Sequence, residues 1–316
     1  MMKVIQLMYP HQISHPHIEG PYSLATGFFD GVHRGHQAVI ELAKKQAQEQ
    51  NLKTAVMTFD PHPSIVLGQR KEQVFYITPL KQKLDILEGM GVDTVFVVRF
   101  TSDFANLSPS EFVDVFIRNL NVKHVTAGFD FTFGAFGKGT MEDMKTLSNK
   151  EFDVTVTDKQ VQEDEKISST RIRKLLQAGD MEKVHELLGR PFQIPGIVVH
   201  GDKRGRQIGF PTANIQAHEG TFVPANGVYA VRIQVQNEWF DGVCNIGYKP
   251  TFKNPDEKNL TIEVHMMDFD KNIYAEEVNV DWYKHLRSEQ KFDGIDALKA
   301  QIEIDKENAL KYLRER

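Results

Sequence analysis

The chain has 316 residues, 41% of them hydrophobic, with 38 basic against 43 acidic side chains; at roughly 100–200 residues per domain, two domains fit, each able to bury its own core. A formal charge of −5 with no dominant basic block excludes a general binder of nucleic acid or of anionic membranes. A lone cysteine, Cys244, excludes an intramolecular disulfide and a cysteine-rich zinc site, and no apolar run reaches the roughly 20 residues of a membrane span, so a soluble cytoplasmic protein is expected.

In chain order, Met1–Pro10 has one lysine and an apolar stretch broken by Gln6 and Pro10, and it does not read as a signal peptide. Short runs rich in Val, Thr and Phe follow at Ser23–Phe29, Thr54–Phe59, Thr94–Phe100, Val122–Ala127 and Val154–Thr157, and each reads as a strand. Amphipathic segments lie between them. Thr78-Pro79 predicts a capping hydroxyl ahead of a proline at the first helical position, with Gly89 and Gly91 ending that helix. Ser108-Pro109-Ser110-Glu111 predicts a capping box. Alternating strand and helix implies an α/β domain with a parallel sheet, whose ligands gather at the carboxyl ends of the strands. After about Gly179 the pattern changes. A helix over Asp180–Leu188 stops at Gly189, and longer alternating strands follow at Val228–Val235, Trp239–Ile246, Leu260–Met267 and Val278–Trp282, with a turn at Asn254-Pro255-Asp256. That spacing predicts an antiparallel sandwich or barrel, closed by a helix over Gly294–Leu313 with Ile295, Leu298, Ile302, Leu310 and Leu313 as its apolar stripe. The boundary between domains is placed near residue 182.

The first segment that carries chemistry is Gly27-Phe28-Phe29-Asp30-Gly31-Val32-His33-Arg34-Gly35-His36, between a strand and a helix. On a helix, His33 and His36 share one face, and Gly35 leaves the backbone open to a phosphate. Unpaired amides and the dipole at the helix start favour anions, so two imidazoles and those donors form a pocket suited to a triphosphate. In the second half, His200 to Asn214 holds Gly201, Gly205 and Gly209 with Lys203, Arg204 and Arg206, a composition suited to wrapping an anion. Thr212 and Asn214 are hard oxygen donors on one side of an extended strand, suited to a Mg²⁺ that also holds phosphate oxygens. Other patterns are rejected. Gly137-Lys138-Gly139-Thr140 lacks the Walker spacing, and there is no dinucleotide fingerprint. His11, His15 and His17 read as a solvated turn around Pro16, and the many phenylalanines read as core.

The ten-residue string resembles the His-x-Gly-His nucleotidyltransferases, specifically the adenylyltransferase half of bacterial bifunctional riboflavin kinase/FMN adenylyltransferases. Thr58-Phe59-Asp60-Pro61-His62-Pro63, Gly128 to Gly134, and Ile167-Ser168-Ser169-Thr170-Arg171-Ile172-Arg173 extend the resemblance. In the second half the phosphate loop with Pro211-Thr212-Ala213-Asn214 is similar to that of riboflavin kinases, as are Leu188 to Phe192, Gly227 to Ala230, Asn245 to Phe252 and Ile262 to His265. The resemblance spans roughly residues 15 to 315. It implies a Rossmann-like nucleotidyltransferase domain over 1–182 and a riboflavin kinase barrel with a terminal helix over 183–316. It further implies ATP contacts at Gly27, Phe28, Asp30, Gly35, Ser168, Ser169, Thr170 and Arg173, with catalysis by His33 and His36 and flavin contacts at His62, Asp130 and Phe131. In the barrel it implies Glu263 as the base, ATP contacts at Gly201, Lys203, Arg206 and Gly209, metal ligation by Thr212 and Asn214, and flavin contacts at Arg287 and Glu289. The expected substrates are riboflavin, FMN and ATP, with Mg²⁺ as cofactor and no nucleic-acid or membrane partner; self-association is left open. One departure stands out: Ala275 occupies a position where the family usually has glycine, so a turn needing positive φ would be strained there.

Overall fold

The computed structural model describes residues 1–10, 19–68, 74–163, 165–201, 204–250 and 258–316. Lys203, the histidines at 11, 15 and 17, and the turn expected at Asn254-Pro255-Asp256 lie outside these residues. The chain forms two units, Met1–Ser168 and Ser169–Arg316.

In the first unit, β1 (Lys3–Leu7), β2 (Tyr22–Thr26), β3 (Lys53–Asp60), β4 (Thr94–Arg99), β5 (Val122–Gly128) and β6 (Asp153–Thr157) form one sheet in the order β1-β4-β3-β2-β5-β6. Every pairing in it is parallel. The period of two along a strand supplies both faces. Leu24, Met57 and Phe96 enter a phenylalanine-rich core with Phe104, Phe112 and Phe116, whereas Ala25, Val56 and Val95 face a second core with Val39, Ile40 and Leu87. Helices α1 (Arg34–Gln50), α2 (Pro63–Val66), α3 (Leu80–Gly89), α4 (Ser102–Ala105), α5 (Pro109–Val113, continued by a π turn) and α6 (Met141–Ser148) make the connections, and a small hairpin, β7 (Val161–Gln162) with β8 (Glu165–Lys166), follows β6. From β2 the chain goes to β3 on one side, while β5 pairs on the other side. The reversal places a crevice at the carboxyl end of β2.

Two expectations are corrected here, and one strand is added. The edge strand β1 did not stand out in the sequence, because it is mostly exposed and lacks a two-residue apolar period. The first predicted long strand stops at Thr26; Phe29, with φ 54, has already turned away. Thr78 does not cap α3. Pro79 is the N-cap, with no side-chain bond, and the Thr78 amide donates to Asp30 instead. The capping box of Ser108 and Glu111 is present as expected.

The second unit opens with α7 (Ser169–Ala178) and α8 (Met181–Leu188). Strands β9 (Phe192–Val199), β10 (Ala213–Ala217), β11 (Gly227–Val235), β12 (Glu238–Pro250), β13 (Lys258–Met266) and β14 (Glu277–Arg287) close into a barrel in the order β10-β13-β12-β11-β14-β9, with a short helix α9 (Arg204–Gln207) before β10. The barrel rather than the sandwich is realised. β9 and β10 escaped the sequence pattern: Pro195 and Gly196 interrupt the first, and the second is a short polar run. Helix α10 (Ile295–Arg314) lays Ala309 and Leu313 on Val228, Ala230 and Val243. The expected stripe is only partly buried, since Ile295 is exposed and the buried position in mid-helix is Asp305.

Candidate active sites

The first site forms where β2 ends. His33 is the N-cap of α1, not a residue on its face: its Nδ1 accepts the His36 amide at 3.2 Å. That acceptor role leaves the ring proton on Nε2. The two imidazoles stack at 3.6 Å between centroids and 17° between planes, and His33 is buried while His36 is half-buried. A Cβ at Gly35 would sit 3.1 Å from His33 Cε1 and 3.7 Å from the Ile167 carbonyl. Glycine there lets the imidazole fold over the helix start, a steric role beyond access for a phosphate. The turn is strained, since Phe29 and the β-branched Val32 have φ of 54 and 40.

Gly27 donates its amide to Met57 O as the chain leaves β2. Asp30 is 2% exposed, and its carboxylate accepts the amides of Ile77 and Thr78, so it braces the loop ahead of α3. Phe28 packs edge-on to His62 at 4.4 Å and stacks on Tyr76 at 6.2 Å. His62 caps α2, taking the Ser64 amide on Nδ1, and its own amide donates to the Tyr76 hydroxyl. Asp130 forms an ion pair with Lys166, whose ammonium also lies 4.7 Å over the Phe129 ring. Phe131 stacks on Phe133 against the core. Ser168 ends the first unit, while Ser169, Thr170 and Arg173 belong to α7 in the second. Thr140, from the rejected Walker-like string, caps α6.

A residue not singled out in the sequence sits under this turn. Lys83 on α3 is 2% exposed, and its Nζ donates to Phe28 O at 2.8 Å and Thr58 Oγ1 at 3.1 Å. Burial lowers its pKa to about 8, against the attraction of Asp30 and Asp60. The clue was available: Lys83 is three residues after Leu80 and four before Leu87, an inward position on an amphipathic helix.

The second site is a row across three antiparallel strands. Asn214 is paired with Glu263, and Glu263 with Asn245. Directly paired residues share a sheet face, so the three side chains line up. Thr212 donates its hydroxyl to Glu263 Oε2 at 3.4 Å. The glycine-rich loop wraps these groups closely. A Cβ on Gly201 would lie 2.2 Å from Asn214 Nδ2, and one on Gly205 3.4 Å from Thr212 Oγ1. The loop makes the helical turn α9 before Gly209 at φ 92. Arg206 and Thr212 border a cavity of about 360 Å³ with Val198, Val264, Phe269 and Tyr274. Asp270 to Tyr274 also line this cavity, and the next residue, Ala275, has φ 65, the left-handed conformation in which an alanine is strained.

Glu289 reaches the same end of the row: its Oε1 is 2.3 Å from where a Cβ on Gly247 would stand. Arg287 is held by Asp305 of α10, with Nε 3.0 Å from both carboxylate oxygens and Nη2 2.8 Å from Oδ2. Cys244 is free and buried, and burial raises its thiol pKa.

Comparison with known proteins follows the same division. The chain matches the FAD synthetase family model over residues 15–171 and the riboflavin kinase model over 188–313. It is 49% identical over 311 residues to the bifunctional riboflavin kinase/FMN adenylyltransferase of Bacillus subtilis, covering 98% of each chain, and 37% identical over 305 residues to that of Escherichia coli K12, covering 96% of each. A solved structure named as a macrolide-efflux protein from Streptococcus pneumoniae is 35% identical, with a TM-score of 0.86 over 97% of this chain and 98% of that one. Among the described residues no helix is long and apolar enough to cross a membrane. By sequence over almost its full length, this chain belongs to the bifunctional riboflavin kinase/FMN adenylyltransferase family.

Proposed function

We propose that residues 183–316 phosphorylate riboflavin with ATP to give FMN and ADP, and that residues 1–182 join FMN to AMP from a second ATP, giving FAD and diphosphate. The observation that carries the reading is the pair of unlike phosphate cradles: stacked imidazoles at a helix start, and a carboxylate–amide row beside a glycine loop. In the first reaction a ribityl hydroxyl oxygen attacks the γ-phosphorus, the bond to ADP breaks, and Glu263 takes the hydroxyl proton. The row and loop position the reactants, which counts for more than the base where the transition state is loose. ATP occupies the cavity bordered by Arg206 and Thr212, with Gly201, Lys203 and Gly209 in the loop around its phosphates. Glu289 orients the flavin, and Arg287 shapes that end of the barrel.

The donor set fits Mg²⁺. Thr212 directs its hydroxyl proton at Glu263 and keeps its lone pairs for a cation, and Asn214 adds a second neutral oxygen beside that carboxylate. When bound, the ion neutralises charge on the phosphate oxygens. In the second reaction the FMN phosphate, already an anionic nucleophile, attacks the α-phosphorus and the bond to diphosphate breaks. No covalent enzyme intermediate is needed. His33 and His36, with the α1 amides and Gly35, stabilise the charge that develops. Gly27 and Phe28 shape the nucleotide turn and Asp30 braces it. The string Ser168, Ser169, Thr170 and Arg173 has hydroxyls and a guanidinium of the kind that suits a diphosphate, and His62, Asp130 and Phe131 face the flavin. A cytoplasmic location suits the single buried thiol.

Incubation of the full chain with riboflavin, ATP and Mg²⁺, resolving FMN, FAD, ADP and diphosphate over time, tests both steps. FMN should appear first with equimolar ADP, then FAD with equimolar diphosphate. Flavin binding without ATP consumption would defeat the reading.

A further inference from the structure

We propose that Lys83 is a positioning residue for adenylyl transfer: its buried ammonium fixes the Phe28–Phe29 peptide, and so the strained turn that delivers His33 and His36. The Phe28 carbonyl shares a peptide plane with the Phe29 amide, so its direction and the φ of Phe29 are set together. That φ is 54, a value a bulky aromatic residue adopts only when its surroundings impose it. Two donors impose it. Lys83 Nζ reaches Phe28 O at 2.8 Å, and Thr58 Oγ1 reaches the same oxygen at 2.9 Å. Nζ also bonds Thr58 Oγ1 and lies 4.5 Å from the centre of the Phe28 ring, so the carbonyl and the ring of one residue are held by one cation.

The charge itself points to function. Lys83 makes no ion pair within 4.0 Å among the described residues. The charged or titratable groups around it are Asp30 from the turn, Asp60 from the end of β3, and His62 and Tyr76 across the Phe28 ring. A methionine would fill the same volume without the desolvation cost, so a lysine kept here for stability alone is the poorer choice. With its pKa lowered to about 8, Lys83 is charged at neutral pH and loses its charge just above it.

The inference rests on the N-terminal site being the FMN adenylyltransferase, and the test separates the two. In the full-length protein with Lys83→Met, FAD formation from FMN and ATP should fall 10- to 100-fold in kcat, riboflavin phosphorylation should be unchanged, and Tm should hold or rise. Wild-type kcat for FAD should decline above pH 8, and the variant should lack that limb. Should Lys83→Met not fold, Lys83→Gln, a neutral donor of shorter reach, takes its place with the same expectations. FAD formation within twofold of wild type, or a loss that merely tracks a fall in Tm, would overturn the role of Lys83. A wild type that makes no FAD would overturn the functional reading, and this inference with it.

Discussion

The two candidate sites are built by opposite means. In the first unit the helix start supplies donors from the backbone, and few side chains are needed; the cost is a turn with Phe29 and Val32 in conformations that buried groups must enforce. In the barrel the strand register supplies the groups, and Asn214, Glu263 and Asn245 need only ordinary extended backbone. A terminus-built site is therefore sensitive to whatever braces its turn, and a register-built site to whatever fixes its strands. Removing one chemical group from each makes the sharpest test of that contrast. His36→Ala should lower FAD formation by roughly 10²–10⁴-fold and leave riboflavin phosphorylation intact, and Glu263→Ala should do the reverse when FMN is supplied. Either variant stopping both half-reactions while still folded would break the division into two sites.

The next effect concerns the frame of the barrel site. Asp305 is buried, and it holds the guanidinium of Arg287 at the end of β14. Asp305→Ala leaves a half-buried cation without its carboxylate, which should destabilise the second unit by about 3 kcal/mol. Urea unfolding reads the loss, and riboflavin phosphorylation should fail at a lower temperature than FAD formation does. Equal thermal loss of both activities would show that the anchor is not specific to the barrel.

Much of this architecture was legible in the sequence because local rules and tertiary structure agree. The capping box at Ser108, the Val-, Thr- and Phe-rich runs of β3 and β4, and the glycine-rich strings ahead of α1 and β10 each carry their own cause. What escaped notice depends on partners distant in sequence. β1 is a strand because β4 lies beside it, and β9 runs through Pro195 because β14 pairs with it there, while the pairing of β10 ends at Gly196. Thr78 does not cap because α3 begins one residue later, with Pro79 as its N-cap, while Asp30, 48 residues away, takes the Thr78 amide. His33 and His36 were found by motif, but their stacking depends on one being the N-cap, which spacing alone does not specify. Lys83 showed a usable signal, a cation at an inward helical position, that composition hides among many lysines.

A smaller effect tests the register of the barrel through pH. Burial raises the pKa of Asp281 to about 6 from its ordinary 3.8, although Gln193 donates to it at 2.7 Å and Arg190 and Arg232 attract it. The folded unit therefore binds this proton more tightly than the unfolded chain. The resulting stability is fully present below pH 3.8 and is lost as pH rises through about 6. Between pH 5 and 7.5, wild type should lose about 1 kcal/mol relative to Asp281→Asn, measured as the difference of urea midpoints. A pH-independent difference would place this carboxylate in water.

The smallest effect concerns the wall of the barrel cavity. Ala275 is held at φ 65 while its amide donates to Val198 O at 2.8 Å, so β9 fixes a turn in which a Cβ is unfavourable. Relieving the left-handed alanine gains about 1 kcal/mol, and the added freedom of glycine in the unfolded chain takes back roughly half of that. Ala275→Gly should therefore raise stability by about 0.5 kcal/mol. Because Asp270 to Tyr274 line the cavity with Arg206 and Thr212, the same change should move the KM for ATP in riboflavin phosphorylation and leave that of FAD formation alone. Destabilisation instead would mean that the methyl group packs against something worth more than the strain it causes, and the turn would then be braced by its side chains, as the nucleotide turn of the first unit is.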